Sequence, residues 1–176
     1  MKPGKAAKKQ RVTDILSRSP EETRQIGMEI GRFLSIPGVV LLRGALGMGK
    51  TTLTRGIAEG LGLEDPGMVN SPSFTLVNIY QGVCPIYHVD LYRLEGERDL
   101  YSIGMDDFLG SEGITVIEWS ERLSTSIDRA TEIEIEDAGD DLRMLHIRMP
   151  AKKRNTYSHS MKTVPGNRLH NRRRLN

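Results

Sequence analysis

The residues best suited to chemistry lie in one glycine-rich run that leads into a lysine and two threonines. The run consists of Gly44, Ala45, Leu46, Gly47, Met48, Gly49, Lys50, Thr51 and Thr52. Glycines let consecutive backbone N–H groups face one anion, and the N-terminus of a following helix adds partial positive charge. Lys50 would reach the β- and γ-phosphates of a nucleotide, and the Thr51 hydroxyl would bind Mg²⁺. The run therefore predicts a phosphate-binding loop; a glycine-rich turn without a ligand is the alternative.

Two carboxylates stand at or near the ends of apolar runs farther along the chain. Glu118 follows residues 114–117, as an acid does at the end of a strand that faces a bound metal ion. We predict that it orients or deprotonates the attacking water, or binds Mg²⁺ through water, unless it is an exposed strand end. Strand alternation places Asp90 on one face with His88 and Tyr92. Asp90 is a candidate functional carboxylate or only a partner of Arg93 or another basic residue, and His88 is a scaffold or a mechanistic residue.

The elements that must position these residues are predicted from periodicity and turn residues. Ser19 and Glu22 begin a helix that ends at residues 37–38. A buried strand precedes the glycine-rich run and a helix follows it. These two elements and the remaining strands are predicted at residues 39–42, 52–61, 74–80, 85–92, 114–117, 131–136 and 142–149. We predict an α/β fold: a single phosphate-loop NTPase-like domain whose mixed, mostly parallel sheet is flanked by helices and ends in a C-terminal hairpin.

Charge divides the chain into a core and two basic arms. Residues 1–11 and 150–176 hold 13 of the 25 Lys and Arg residues and none of the 23 acids, which leaves residues 12–149 with a net charge of −11. Both arms are poor in apolar residues, so we predict that they lack regular structure on either side of one domain over residues 12–149. The arms either increase solubility or attract the phosphates of a nucleic acid.

Composition argues against a disulfide-stabilised, a membrane-spanning or a secreted protein. A chain of 176 residues fits one domain, and its single cysteine, Cys84, cannot form an internal disulfide. No uncharged run approaches the roughly 20 residues that span a bilayer, and the N-terminus has no apolar stretch typical of a secretory signal. We therefore expect a cytoplasmic protein with no membrane association.

Four segments together resemble a known family. Residues 44–51, 71–77, 88–93 and 116–122 are similar to TsaE (also called YjeE), the ATPase component of bacterial tRNA threonylcarbamoyladenosine synthesis. The resemblance extends over residues 19–149, and the His-x-Asp-x-Tyr-Arg and Glu-Trp segments are more specific than the phosphate loop alone.

The resemblance implies binding of ATP and Mg²⁺, weak intrinsic hydrolysis and association with the partner proteins TsaD and TsaB. In that picture the chain allows TsaD–TsaB to work for multiple turnovers, and it meets tRNA only indirectly or through weak contact of its basic arms. Lys50 and Thr51 would hold phosphate and metal, Asp90 would lie in a switch-like segment near Mg²⁺, and Glu118 would support hydrolysis. Trp119 would lie near the nucleotide or the partner, or be an ordinary packed aromatic.

The sequence departs from the family pattern at three positions. Ala45 stands where an acid is usual, Met48 where a small residue is usual, and Ser120 where proline is frequent. The change at Ala45 removes any role of that acid, but the backbone cradle for an anion needs no side chain there.

Two other classes of function share parts of the pattern. A small-molecule kinase has the same loop and Mg²⁺, but residues 96–110, its candidate lid, are acidic at Asp99, Asp106 and Asp107 and poorly suited to hold phosphate. An RNA-binding accessory module would use the arms and need no phosphate loop. A GTPase is disfavoured because the sequence has no Asn-Lys-x-Asp segment, which makes ATP the expected nucleotide.

Overall fold

The computed structural model describes residues 10–94, 104, 108–109 and 112–150. The strands are β1 (Gln10–Ser17), β2 (Gly38–Arg43), β3 (Val77–Gln81), β4 (Pro85–Asp90), β5 (Ile114–Glu118), β6 (Thr131–Asp137) and β7 (Arg143–Pro150), and the helices include α1 (Pro20–Phe33) and α2 (Lys50–Gly60). The seven strands form one sheet of order β1-β7-β6-β2-β5-β4-β3. No helix among the described residues is long and apolar enough to cross a membrane.

The sheet is mixed, as predicted. The central pairings β2–β5, β2–β6 and β4–β5 are parallel, whereas β1–β7, β6–β7 and β3–β4 are antiparallel. The α/β class and the C-terminal hairpin, formed by β6 and β7, are confirmed. Parallel pairings do not outnumber antiparallel ones among these strands, because β1 adds an antiparallel edge that the sequence did not predict.

Strand β1 corrects the predicted boundary of the first arm. Gln10 and Arg11, assigned to that arm, belong to β1 and lie opposite Pro150 and Met149 of β7. Backbone pairing with a distant strand orders this segment, and no local pattern carries that information. Pro150, assigned to the second arm, is the last residue of β7. The other arm residues, 1–9 and 151–176, lie outside the described part of the chain.

An ion pair between side chains joins β1 to β7. Asp14 lies opposite His146, and its Oδ1 is 2.8 Å from Nδ1 of that histidine. The hydrogen bond to Asp14 raises the pKa of His146, and Glu136, 3.5 Å from Nε2, contributes in the same direction.

Helix α1 begins as predicted. The Ser19 hydroxyl accepts a hydrogen bond from the Glu22 N–H at 3.1 Å, and the Glu22 carboxylate accepts one from the Arg18 N–H at 2.7 Å. The first bond satisfies one of the N–H groups that a helix start leaves unpaired, and the second holds the residue that precedes the cap. The helix ends at Phe33, a few residues before the predicted breaker.

The two helices pack against each other through glycines. A Cβ added to Gly27 or Gly31 of α1 would collide with carbonyl oxygens of α2, and one added to Gly56 or Gly60 of α2 would collide with carbonyl oxygens of α1. The backbones therefore approach more closely than larger side chains allow. This contact fixes α2, and with it the position of Lys50 at its first turn.

The core occupies both faces of the sheet. Side chains of α1 and α2, among them Ile30, Leu53 and Ile57, pack with strand residues on one face. On the opposite face a second cluster consists of Leu41, Val89, Leu91, Leu94, Ile117 and Ala130. The parallel strands β2, β4 and β5 are thus buried, and their carboxyl ends converge at one edge.

Candidate active site

The glycine-rich loop joins the end of β2 to the start of α2, as predicted. Gly44, Gly47 and Gly49 all have positive φ, at 139°, 80° and 95°. A Cβ on Gly44 would lie 2.5 Å from the carbonyl oxygen of Ile135, so this end of the loop packs tightly against β6. A Cβ on Gly47 would meet nothing within 4 Å, so the loop is open there. A loop that packs tightly at Gly44 and is open at Gly47 matches a backbone arrangement that binds an anion.

Lys50 lies inside this loop. Its Nζ donates hydrogen bonds to the carbonyl oxygens of Gly44 at 2.7 Å and Ala45 at 2.9 Å, and it lies 3.9 Å from the centroid of the Trp119 ring. Burial lowers the pKa of the ammonium, and the negative charges of Glu118, Glu121 and Asp90 oppose that shift. The loop thus holds a cation against its own carbonyl groups and an aromatic face.

The other loop residues differ in exposure. Helix α2 begins at Lys50, two residues before the predicted start, so Thr51 and Thr52 occupy its first turn. Leu46 is 71% exposed, whereas Met48 packs partly against the core. Any contact of Leu46 with a phosphate would therefore use its backbone.

Glu118 is the last residue of β5 and is only 2% exposed. Its Oε2 accepts a hydrogen bond from the Thr51 hydroxyl at 3.1 Å, and its Oε1 accepts one from the Thr54 hydroxyl at 3.3 Å. These bonds join the acid-tipped strand to the first turn of α2, and they rule out the alternative of an exposed strand end. A hydroxyl that donates its proton keeps its lone pairs, so Thr51 can still bind a cation.

His88 also contacts this carboxylate. Its Nε2 lies 2.7 Å from Glu118 Oε1, and the side chain is fully buried. The imidazole therefore reaches the same acid that the phosphate loop reaches.

Asp90 ends β4 directly opposite Glu118 in the parallel register. Its Oδ2 accepts hydrogen bonds from the hydroxyls of Ser71 and Ser73, the latter at 3.2 Å, and its Oδ1 accepts one from the Tyr92 N–H at 2.9 Å. This last contact is part of a turn that ends β4 two residues earlier than predicted.

The alternative partner of Asp90 is not observed. Among the described residues no ion pair joins Asp90 to Arg93, whose guanidinium lies 4.0 Å from the Phe74 ring centroid. Asp90 is only 2% exposed, so its charge faces the serine hydroxyls and the edge of the sheet rather than bulk solvent.

Ser71 and Ser73 are site residues that sequence reasoning did not assign. They lie in the segment before β3, which was predicted to begin at residue 74 but begins at Val77. The turn arises because Leu76 has a φ of 65° and its N–H donates to the Pro72 carbonyl at 2.7 Å. Closely spaced hydroxyls beside a proline were the available signal, but their carboxylate partner is distant in sequence.

Trp119 belongs to the site rather than only to the core. It follows Glu118 in the left-handed conformation, with a φ of 58°, and its ring lies 5.0 Å from that of Tyr92 as well as beside the Lys50 ammonium. The next residue, Ser120, donates its hydroxyl to the Leu42 carbonyl at 3.2 Å. This bond ties the turn to β2 at the position where the family pattern frequently has proline.

The donor set fits a nucleotide with a hard cation. A hydroxyl and two carboxylates, from Thr51, Asp90 and Glu118, are oxygen ligands of the kind that Mg²⁺ prefers, alongside water and phosphate oxygens. The described residues contain no cluster of three or more Asp, Glu, His or Cys side chains that would hold a metal ion alone.

Comparisons with known proteins agree with this architecture. The family model described as threonylcarbamoyl adenosine biosynthesis protein TsaE matches residues 17–145. The tRNA threonylcarbamoyladenosine biosynthesis protein TsaE of Treponema pallidum is 40% identical over 116 residues, which are 66% of this chain and 84% of that protein. The protein of the same name from Bacillus subtilis is 40% identical over 127 residues, 71% of this chain and 78% of that protein.

A solved structure shows the same fold. The crystal structure of YdiB from Bacillus subtilis superposes with a TM-score of 0.67 at 33% identity and covers 82% of this chain and 89% of that one. The fold is that of the phosphate-loop NTPases, and the family model extends from the end of β1 into β7, with Lys50, Asp90 and Glu118 inside it. The chain therefore belongs to the TsaE family of tRNA threonylcarbamoyladenosine biosynthesis proteins.

Proposed function

We propose that this chain is a Mg²⁺-dependent ATPase with weak intrinsic activity, acting on the TsaD–TsaB complex so that tRNA threonylcarbamoyladenosine synthesis proceeds for multiple turnovers. The observation that carries the proposal is the buried Glu118 carboxylate, held by the Thr51 hydroxyl at the first turn of α2. A phosphate loop and an acid-tipped strand in direct contact are the parts that ATP hydrolysis requires.

Each residue has a stated part in this proposal. The N–H groups of the loop and the Lys50 ammonium hold the phosphates, while Thr51, Asp90 and Glu118 hold Mg²⁺ directly or through water. Mg²⁺ neutralises charge on the phosphates when bound. Glu118 orients the attacking water and accepts its proton, a role for which a fixed carboxylate is suited.

Lys50 is already positioned for this task. Its ammonium is desolvated in the loop, so the free-energy cost of burial is met before any phosphate arrives. Two carbonyl oxygens and one ring are its present partners, and a phosphate oxygen is a stronger partner than either.

The surroundings of the site support a protein partner. Leu46, Phe74 and Tyr92, which belong to the loop, to the segment before β3 and to the turn after β4, are 71%, 82% and 40% exposed. Large exposed apolar side chains near a polar site are typical of a surface that another protein covers. TsaD and TsaB are the partners we propose, and the cytoplasm, where they would meet tRNA, is the proposed location.

The other candidate functions have less support among the described residues. A kinase would use residues 96–110 as its lid, and these lie outside the described residues except for Gly104, Phe108 and Leu109. An RNA-binding role would use the arms. Gln10 and Pro150, from which the two arms continue, lie opposite each other at the end of the sheet away from the phosphate loop.

A product-counting experiment tests the proposal. TsaD–TsaB is supplied with tRNA and an excess of the threonylcarbamoyl donor, and modified adenosine is counted per complex with and without this chain and ATP. We expect yields well above one per complex only when both are present. A yield that does not depend on the chain, or one that survives Lys50→Met, would overturn the proposal.

A further inference from the structure

His88 lies beside the two acids of the site, Asp90 and Glu118, and contacts the second of them. It lies on β4 two residues before Asp90 and pairs with Val116, while Asp90 pairs with Glu118. His88 therefore lies diagonally from Glu118 on the same face of two adjacent strands, a separation that a long side chain can bridge. The distance of 2.7 Å between His88 Nε2 and Glu118 Oε1 shows that it does so.

The partners of the imidazole indicate which nitrogen carries the proton. Nδ1 of His88 is buried and has no hydrogen-bond partner among the described residues, whereas Nε2 faces a carboxylate oxygen. An ionised carboxylate can only accept, so the Nε2–H must donate to Glu118. The tautomer with the proton on Nε2 also avoids a buried N–H without an acceptor, which would be costly.

We propose that His88 is a positioning residue that fixes Oε1 of Glu118 and thereby turns Oε2 toward Thr51 and the phosphate loop. The two oxygens then have different roles. Oε1 accepts hydrogen bonds from His88 and, at the longer distance of 3.3 Å, from Thr54. Oε2 is then the oxygen that remains available to water or a metal ion. The kinetic part of this inference rests on the proposed ATPase activity.

Two substitutions at His88 separate this role from simple filling of space. The side-chain nitrogen of glutamine reaches the position of imidazole Nε2, whereas that of asparagine reaches only the position of Nδ1. We expect His88→Asn to lower kcat roughly 10- to 100-fold with the affinity for ATP within about threefold of wild type. His88→Gln should recover most of that loss. Equal kcat values for the two variants would overturn the proposal.

A double substitution tests whether His88 acts through Glu118. In a Glu118→Gln background, His88→Asn should lower kcat by less than about twofold further, because the group to be positioned has already lost its function. A loss as large as in the wild-type background would show that His88 acts by another route and would contradict the proposal.

Nuclear magnetic resonance gives a readout that depends neither on hydrolysis nor on the folding of a His88 variant. Imidazole ¹⁵N shifts should show His88 as the Nε2–H tautomer, and Glu118→Gln should change the Nε2 signal. A proton on Nδ1 would overturn the inference. Absence of ATP turnover by the wild-type chain, alone and with TsaD and TsaB, would instead defeat the proposed function, while the imidazole spectrum would still decide the His88–Glu118 contact.

Discussion

Replacing Lys50 with methionine should weaken nucleotide binding while changing stability little. Methionine keeps an unbranched apolar stem and removes the ammonium. We expect the affinity for Mg²⁺-ATP to fall roughly 10- to 150-fold, since one charge-assisted hydrogen bond to a phosphate contributes about 1.5–3 kcal/mol.

The same change should leave the free energy of unfolding within about 1 kcal/mol of wild type. Two charge-assisted bonds to loop carbonyls, at about 1.5–3 kcal/mol each, and a ring contact of about 0.5–2 kcal/mol oppose a desolvation penalty of several kcal/mol. Gly44 is half-buried and Ala45 is exposed, so we expect water to replace the ammonium at their carbonyl oxygens.

The assay uses the single tryptophan of the chain, Trp119, whose ring lies beside the Lys50 ammonium. Its fluorescence should change as nucleotide draws the ammonium away, and calorimetry gives the affinity independently. Arg32→Met, which removes an exposed charge at the last turn of α1, is the matched control. An affinity within threefold of wild type for Lys50→Met, or an equal loss in the control, would refute the assignment of the loop.

Four further outcomes are expected. Glu118→Gln should keep the affinity for ATP within a few-fold and lower turnover roughly 10- to 1,000-fold, measured by phosphate release; normal turnover per bound ATP would make this acid structural. Gly56→Ala should lower the free energy of unfolding by about 1–3 kcal/mol in urea melts, whereas Gly67→Ala, whose new Cβ would meet only a side-chain oxygen, should change it far less. Deletion of residues 151–176 should leave ATP hydrolysis unchanged and flatten the salt dependence of any tRNA binding between roughly 50 and 200 mM; identical salt curves would indicate a solubilising tail. The pKa of His146 is raised in the folded state above its ordinary value of 6.5. Its contribution to stability is therefore complete below pH 6.5 and is lost as the pH rises through the raised pKa. His146→Asn should accordingly lower the free energy of unfolding more at about pH 6 than at about pH 8.5, measured by urea melts.

Local sequence was sufficient for the phosphate loop and for Glu118. The loop is contiguous, so its glycines, Lys50 and Thr51 carry the whole pattern within a few residues. Glu118 could be predicted from the sequence because it directly follows an apolar run. Asp90 was placed near Mg²⁺ only by the family resemblance, since its strand was predicted to continue to residue 92. The parallel register that puts Asp90 opposite Glu118 is a finding of the structure.

The remaining features depend on pairings that no local pattern specifies. Strand β1 acquires its order from β7, which follows it by more than a hundred residues. Ser71 and Ser73 become part of the site because the chain turns before β3, and only then do their hydroxyls meet Asp90. The glycines of α1 and α2 are meaningful only when the helices cross, which is a tertiary contact rather than a propensity.

The most direct test of the account is ATP turnover by the purified chain, first alone and then with TsaD and TsaB, with Glu118→Gln as the matched variant. We predict slow release of inorganic phosphate by the chain alone, a clear increase when both partners are present, and loss of that increase in the variant. Transfer of phosphate to a small-molecule acceptor without the partners, or the same rate with and without them, would contradict it.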